Sequence, residues 1–232
     1  MCPFIETICI EQGRILRLAY HNERMNRTRR LCLGASESLD LAHFISPEAC
    51  IERTKCRVVY DTEIREVTYS LYHLRPVATL QLVYSDEADY RYKSTDRTVL
   101  NELFACRAEA DDVLVVRQGL LTDTSICNVA LWNGEQWQTP AEPLLAGTHR
   151  AALLDEGGIE AASVSVSDLS GFSRIRLFNA LIGFGEIDLP ISCICREVSY
   201  QLISSNLGSF STNRISETNT RPYLFNLICP TP

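Results

Sequence analysis

The sequence predicts an α+β protein, and two observations carry that prediction. Through residue 87 the local patterns run β-β-α-α-β-β-β, which is not the strict alternation of a parallel βαβ array. Beyond that point strand patterns dominate, with helical stretches placed to pack outside a β-rich body. The expected organisation is a small α+β unit over 1–87, a larger β-rich unit over 88–197, and a tail over 198–232 rich in Ser, Asn and Thr.

Each element has its local reason. FIETICI (4–10) alternates, EQG turns, and RILRL (14–18) alternates again, which reads as a hairpin. YHNERMNRTRRLCL is helical and closes at Gly34, with NRTRR (26–30) expected on a solvated helix face. A second helix is expected around SESLDLAHFI (36–45), capped by Ser36 or Ser38, and a short third at SPEACIER (46–53) with Pro47 in its first turn. Three strands follow, in 55–61, 66–74 and 77–85. TDRTVLNELFACRAE (95–109) is a helix capped by Asp96 or Thr95, with Val99, Leu100, Leu103 and Phe104 on one face. DDVLVVRQG and LLTDTSICNVALW read as strands, and Asn133-Gly134 joins NVALW to EQWQTP as a hairpin turn. PLLAGTHRAALLDEGG is a loop leading into a helix that stops at Gly157-Gly158. ASVSVSDL (162–169) and IRLFNALIGFGEI (175–187) supply two more β-prone pieces, and the apolar YLFNLI (223–228) stands near the end of the tail.

Composition narrows the function classes. Of 232 residues 46% are hydrophobic and 22% charged, the profile of a soluble globular chain. A net charge of -7 with interspersed signs argues against an electrostatic nucleic-acid binder and offers no basic face to anionic lipids. No apolar run reaches membrane-spanning length, and the start lacks the pattern of a secretory signal. The ten cysteines are irregularly spaced, form no C-x-x-C pair and lie apart from the four histidines. No metal site is expected, and most cysteines read as small buried hydrophobes in a reducing cytoplasm.

Several polar features exceed what a scaffold needs. LLTDTSICN sets Asp123, Ser125 and Asn128 at the end of an apolar run, and LLAGTHR sets Gly147 and Thr148 at a helix start, where backbone N–H groups favour an anion. In order along the chain, LAYHNERM, YKSTDR, GLLTDTSICNVALWNGEQWQTP, PLLAGTHRAALL and LFNALIGFGEI resemble the class IV aminotransferase family, the fold-type IV enzymes that use pyridoxal 5'-phosphate. The resemblance runs from about Phe4 to Ile191 and implies a two-domain fold with a β-barrel-like larger domain. It makes Lys93 the catalytic lysine that anchors the cofactor and Arg24 a phosphate ligand. Asp123 becomes the partner of the cofactor ring nitrogen, with Asn128, Gly147, Thr148, Asn179 and Ala180 as further cofactor-binding residues. It also implies a cytoplasmic homodimer acting on a small amino-group substrate.

The chemistry explains the residue types. An anchoring lysine must be able to lose its proton, which burial or a neighbouring cation favours, and its freed amine can then move a proton on substrate. A carboxylate keeps the cofactor ring nitrogen protonated, so that the ring accepts electrons. Three departures stand out. Asp123 occupies a position commonly held by Glu, the chain starts almost at FIET without the strand that usually precedes it, and His149 stands where a small hydroxyl residue is common. His149 is read as touching substrate or facing solvent, with loop capping a further option. His21 is read as structural beside Arg24, Arg97 as solvated, Cys127 as buried filler, and Tyr92 as core or cofactor rim.

The Asn179-Ala180-Leu181 run is similar to the Asn-Ala-Leu of 4-amino-4-deoxychorismate lyases, which release pyruvate and form 4-aminobenzoate for folate synthesis. The competing readings are a branched-chain or D-amino-acid aminotransferase, and a degenerate member that binds cofactor without turnover.

Overall fold

The computed structural model describes residues 3–196; the expected tail and its YLFNLI segment lie outside them. Strand β1 (Phe4–Glu11) turns through Gln12 and Gly13, both at positive φ, into β2 (Arg14–Ile15). Helix α1 (Leu18–Leu33) follows and ends at Gly34, whose φ of 67° is the left-handed cap that glycine adopts without a steric penalty. With β3 (Thr54–Tyr60) and β4 (Ile64–Leu71) the first strands form an antiparallel sheet of order β2-β1-β3-β4. The inward residues Phe4, Ile8, Ile10, Cys56, Val58 and Tyr60 pack with Met25 of α1.

The two other expected helices in this region do not form. Asp40 caps only a short 3-10 turn, Leu41–His43, because α1 side chains claim the backbone before it: Asn26 bonds both the N–H and the carbonyl of Leu39, and Arg29 bonds the Glu37 carbonyl. Asn26, Thr28 and Arg29 are therefore buried, so NRTRR is not a solvated face. Further on, Cys50 N–H closes only a single turn on the Pro47 carbonyl, and the Cys50 and Ile51 carbonyls accept from Gly13 and Gln12, which ties the segment to the hairpin turn.

The third strand of the first half, β5 (Leu80–Tyr84), does not join β4. It pairs in parallel with β6 (Asp112–Arg117), and α2 (Thr98–Ala105) crosses between them as a βαβ unit. Asp96 caps α2, accepting from the Thr98 backbone N–H at 2.9 Å. Strand β7 (Leu120–Leu121) then leads through an irregular loop to β8 (Asn128–Trp132). The Asn133-Gly134 turn connects β8 to β9 (Trp137–Pro140), α3 (Thr148–Asp155) follows, and β10 (Glu160–Ala162) returns parallel to β9. The alternating valines of ASVSVSDL are not a strand; a 3-10 turn, Ser167–Gly171, begins there.

Strands β11 (Arg174–Phe178), β12 (Ile187–Pro190) and β13 (Ile194–Cys195) complete two sheets, β10-β9-β8-β11-β12 and β13-β5-β6-β7. Their facing sides share one core, in which Leu80, Leu82, Leu114 and Val116 meet Val129, Leu131, Ile175 and Leu177. The period of two sends Val83, Val113 and Val115 to the opposite side against α2, and Ala130 and Phe178 toward α3. Cys9, Cys50, Cys56, Cys127 and Cys193 are buried free thiols. Among the described residues no helix is long and apolar enough to cross a membrane.

Candidate active site

A cavity of about 350 Å³ opens where the first sheet meets the larger β body. All eight residues singled out by sequence line it: Arg24, Lys93, Asp123, Asn128, Gly147, Thr148, Asn179 and Ala180.

Lys93 sits on a connection held at several points. Its carbonyl accepts from Ile5 N–H at 2.8 Å, Thr95 N–H donates to the Pro3 carbonyl at 2.9 Å, and Tyr90 O–H donates to the Ser94 carbonyl at 2.7 Å. The segment is thereby tied to the start of β1, and Lys93 turns into the cavity. Burial, then the Arg24 charge, with a smaller push from Arg97, lower its pKa to about 8 against an opposing pull from Glu6. Arg97 is therefore not on the solvated face: it lines the cavity, donates to the Ser125 carbonyl at 3.0 Å and lies over the Tyr90 ring. Tyr92 is core, edge-on to Phe4.

Arg24 projects from α1 and is gripped by Glu6, a residue that sequence reasoning missed. Arg24 Nε donates to Glu6 Oε1 at 2.9 Å and Nη2 to Oε2 at 2.6 Å, a bidentate pair, while Nη1 reaches the Ala146 carbonyl at 3.3 Å. The signal for Glu6 was its register: it shares the inward face of β1 with Phe4, Ile8 and Ile10, where an acid has no place without a buried cation. Burial alone would raise the Glu6 pKa, but Arg24 and His21 outweigh it and bring it down to about 2.

His21 is the fully buried structural histidine expected. Its Nδ1 lies 2.6 Å from Glu6 Oε2, which can only accept, so Nδ1 carries the proton; Nε2 then accepts from Thr148 Oγ1 at 3.3 Å. Burial pushes the imidazole below its usual pKa, consistent with that neutral tautomer. The chain Arg24–Glu6–His21–Thr148 thus links α1, β1 and the start of α3.

The acidic side of the cavity is the loop between β7 and β8. Asp123 accepts from Asn128 Nδ2 and from Leu145 N–H, each at 2.8 Å. Burial raises its pKa to about 6 despite those two donors and Arg150. Asn128 also donates to the Leu145 carbonyl at 2.9 Å, and its Oδ1 lies so close to Gly147 that a Cβ there would stand 1.9 Å away. Glycine at 147 is required by that approach. Cys127, next to Asn128, is filler as expected; burial pushes its thiol up to about 12.

Asn179 bridges two loops. Its Nδ2 donates to the Ile126 carbonyl at 3.2 Å, and its Oδ1 accepts from Leu181 and Ile182 N–H at 2.8 and 3.0 Å. Its side chain is occupied in shaping the turn, leaving backbone groups to meet a ligand. His149, expected at substrate or solvent, is instead buried behind that turn, with Nδ1 at 2.8 Å from the Asn179 carbonyl. Two carbonyls converge on that nitrogen, an environment only the folded loop supplies. Lys55 and Arg57 of β3, also unforeseen, add two cations to the lining.

A cavity lined by a guanidinium, a helix start, a carboxylate and a perturbed amine can hold a phosphorylated aromatic ligand and move protons on it. The chain is similar to several known proteins. An uncharacterized protein of Haemophilus influenzae is 34% identical over 187 residues, covering 79% of this chain and all of that protein. A protein of Schizosaccharomyces pombe named "putative aminodeoxychorismate lyase" is 26% identical, covering 72% of this chain and 81% of its own length. A crystal structure of a "putative 4-amino-4-deoxychorismate lyase" from Haemophilus somnus 129pt superposes with a TM-score of 0.73 at 34% identity, over 79% of this chain and 98% of the other. A pyridoxal-phosphate-bound hypothetical aminotransferase of Mycobacterium tuberculosis, 19% identical over 79% of both chains, has the same fold at a TM-score of 0.66. Residues 52–189 match the family described as amino-transferase class IV, so that the β3-to-β12 body holding Lys93, Asp123, Asn128 and the Asn179 turn is the family's own, and the chain belongs to that pyridoxal-phosphate-dependent family.

Proposed function

We propose that the cavity binds pyridoxal 5'-phosphate through Lys93 and eliminates pyruvate from 4-amino-4-deoxychorismate or a close analogue, giving 4-aminobenzoate for folate synthesis. The observation that carries the reading is Lys93 itself, an amine with its pKa lowered to about 8 in a cavity that also holds Arg24 and Asp123. The residues suit the cofactor at both ends. Arg24, the N–H groups at Gly147–Thr148 and the Asn179–Ala180 turn would hold the phosphate, and Asp123, positioned by Asn128, would hold the ring nitrogen. When bound, the cofactor supplies an electron sink for the carbon next to the substrate amine.

The chain supplies the rest. Lys93 Nζ takes the proton from that carbon and returns one, with Arg24 and burial keeping a useful share of it neutral. Asp123 keeps its proton-holding partner charged. Lys55, Arg57 and Arg97 offer cationic contacts to a substrate with two carboxylates, which favours this substrate over a branched-chain amino acid. A cytoplasmic homodimer completes the proposal.

The test begins with the visible spectrum of the protein given pyridoxal phosphate, then borohydride reduction and peptide mapping. A band lost on reduction with the label on Lys93, followed by pyruvate release without any 2-oxo acid, is the expected result. Turnover that requires a 2-oxo acid acceptor would make it an aminotransferase. A colourless protein, or a label elsewhere, would end the enzyme reading.

A further inference from the structure

Every carbonyl of the turn Asn179–Ile182 is held from behind. The Asn179 carbonyl accepts from His149 Nδ1 at 2.8 Å, and the Ile182 carbonyl lies 3.2 Å from the same nitrogen. Arg17 Nη2 donates to the Ala180 carbonyl at 2.8 Å, and Arg53 Nη1 to the Leu181 carbonyl at 3.4 Å. Both partners of His149 Nδ1 are oxygens without a proton, so the nitrogen is the donor. The imidazole stands edge-on to Phe178, ring centroids 5.5 Å apart, which fixes its plane.

The consequence follows from peptide geometry. In a planar trans peptide the N–H points opposite to the carbonyl. Where His149 draws the Asn179 carbonyl back, the Ala180 N–H of the same peptide faces the other way, toward the cavity that Ala180 lines. Arg17 holds the next peptide. Its backbone is left-handed, φ 54°, a conformation that costs a non-glycine residue on the order of 1 kcal/mol or more, and its buried Nε has no partner among the described residues. The fold tolerates both costs while Arg17 reaches Ala180.

We propose that His149 is a positioning residue, supported by Arg17, that fixes the Asn179–Ile182 turn so that Ala180 N–H is presented to the anionic group of the ligand. This rests on the pyridoxal-phosphate reading only for the identity of that group. A small hydroxyl side chain at 149 could not reach two carbonyls beyond the helix start.

The test compares wild type, His149→Leu and His149→Asn, the last placing an amide N–H near where Nδ1 stands. In the ligand-free protein, Leu181 and Ile182 amides should exchange with solvent about 10-fold faster in H149L and at the wild-type rate in H149N. Affinity for pyridoxal phosphate should fall about 10-fold in H149L, affinity for pyridoxal, which lacks the phosphate, should stay within about 2-fold, and H149N should restore the first. Unchanged exchange in H149L, or equal loss for both compounds, overturns the proposal. Nitrogen-15 shifts of wild-type His149 give a reading without any variant: the Nδ1–H tautomer is expected, and the Nε2–H tautomer overturns it. Should wild type bind neither compound, the cofactor reading fails, while the ligand-free exchange and tautomer results still decide the role of His149.

Discussion

Lys93 should titrate near pH 8 in the ligand-free protein, with burial accounting for more of the shift than any single charge. Its pKa falls from 10.5 to about 8, with burial the largest cause, Arg24 the next, and Arg97 behind the opposing pull of Glu6. At pH 7 a lysine of pKa 8 is neutral about one time in ten against about three in ten thousand for an ordinary lysine, a roughly 300-fold gain in reactive amine. Replacing Arg24 by Gln removes its repulsion and frees Glu6 to attract the ammonium, so the midpoint should rise, by about one unit, without reaching 10.5. Arg97→Gln should move it less. The assay is competitive acylation across pH 6 to 11 with the Lys93 peptide quantified by mass spectrometry. A wild-type midpoint near 10.5, an Arg24→Gln midpoint restored fully to that value, or an Arg97→Gln effect larger than that of Arg24→Gln would each refute the reasoning.

Glu6→Gln leaves Arg24 buried without its counter-charge, and urea unfolding should register a loss of about 3 kcal/mol or more. In wild type the Glu6 pKa is depressed, from 4.5 to about 2, so its contribution is full above pH 4.5 and should be lost as pH falls toward 2, visible as a falling midpoint in acid unfolding. Gly147→Ala forces Asn128 aside, because the new Cβ would lie 1.9 Å from its Oδ1; cofactor affinity by fluorescence titration should drop roughly 10-fold or more as Asp123 loses its holder. Asp123→Asn should lower turnover on the order of 100-fold at pH 7. In the ligand-free wild type, cofactor affinity by the same fluorescence titration should weaken below about pH 6 as the Asp123 carboxylate, its pKa raised by burial, takes up a proton.

Where the determinants were local, the sequence displayed them. Gly34 marks the end of α1, Asp96 caps α2, and the two-residue alternation of β1, β6 and β11 sorts their side chains to the faces they occupy. Most of the candidate site residues were legible because they lie in short motifs at element ends, with Lys93 before α2, Asp123 in the loop before β8, Asn128 at its first residue, and Gly147 and Thr148 at a helix start, whereas Arg24 lies in mid-helix. What could not be read depends on partners far along the chain. The near-continuous burial of β5 was the mark of a parallel strand covered on both faces, but its pairing with β6 is settled only when α2 crosses over. The missing helix near Leu39 lost acceptors to α1, and the segment near Cys50 is tied to the hairpin turn. His149 and Arg97 looked like surface residues because the carbonyls that take their protons come from other loops.

The charge distribution ties these parts to one purpose. A chain with a net charge of -7 gathers five cations, Arg24, Lys55, Arg57, Lys93 and Arg97, around a single cavity. Asp123 lies in that wall, and Glu6 stands behind it, bound to the Nε and Nη2 edge of Arg24. Were Glu6 in the lining, it would repel an incoming phosphate; from behind, it fixes the guanidinium without occupying the edge that carries Nη1. Such a cavity focuses a positive potential that an anionic cofactor and an anionic substrate can share, while the acidic exterior keeps other polyanions away. The same arrangement explains why Lys93 needs burial as well as repulsion. A bound phosphate would cancel much of the field from Arg24, and an amine held down by that charge alone would regain its proton, whereas one held down by desolvation keeps its lowered pKa after the ligand arrives.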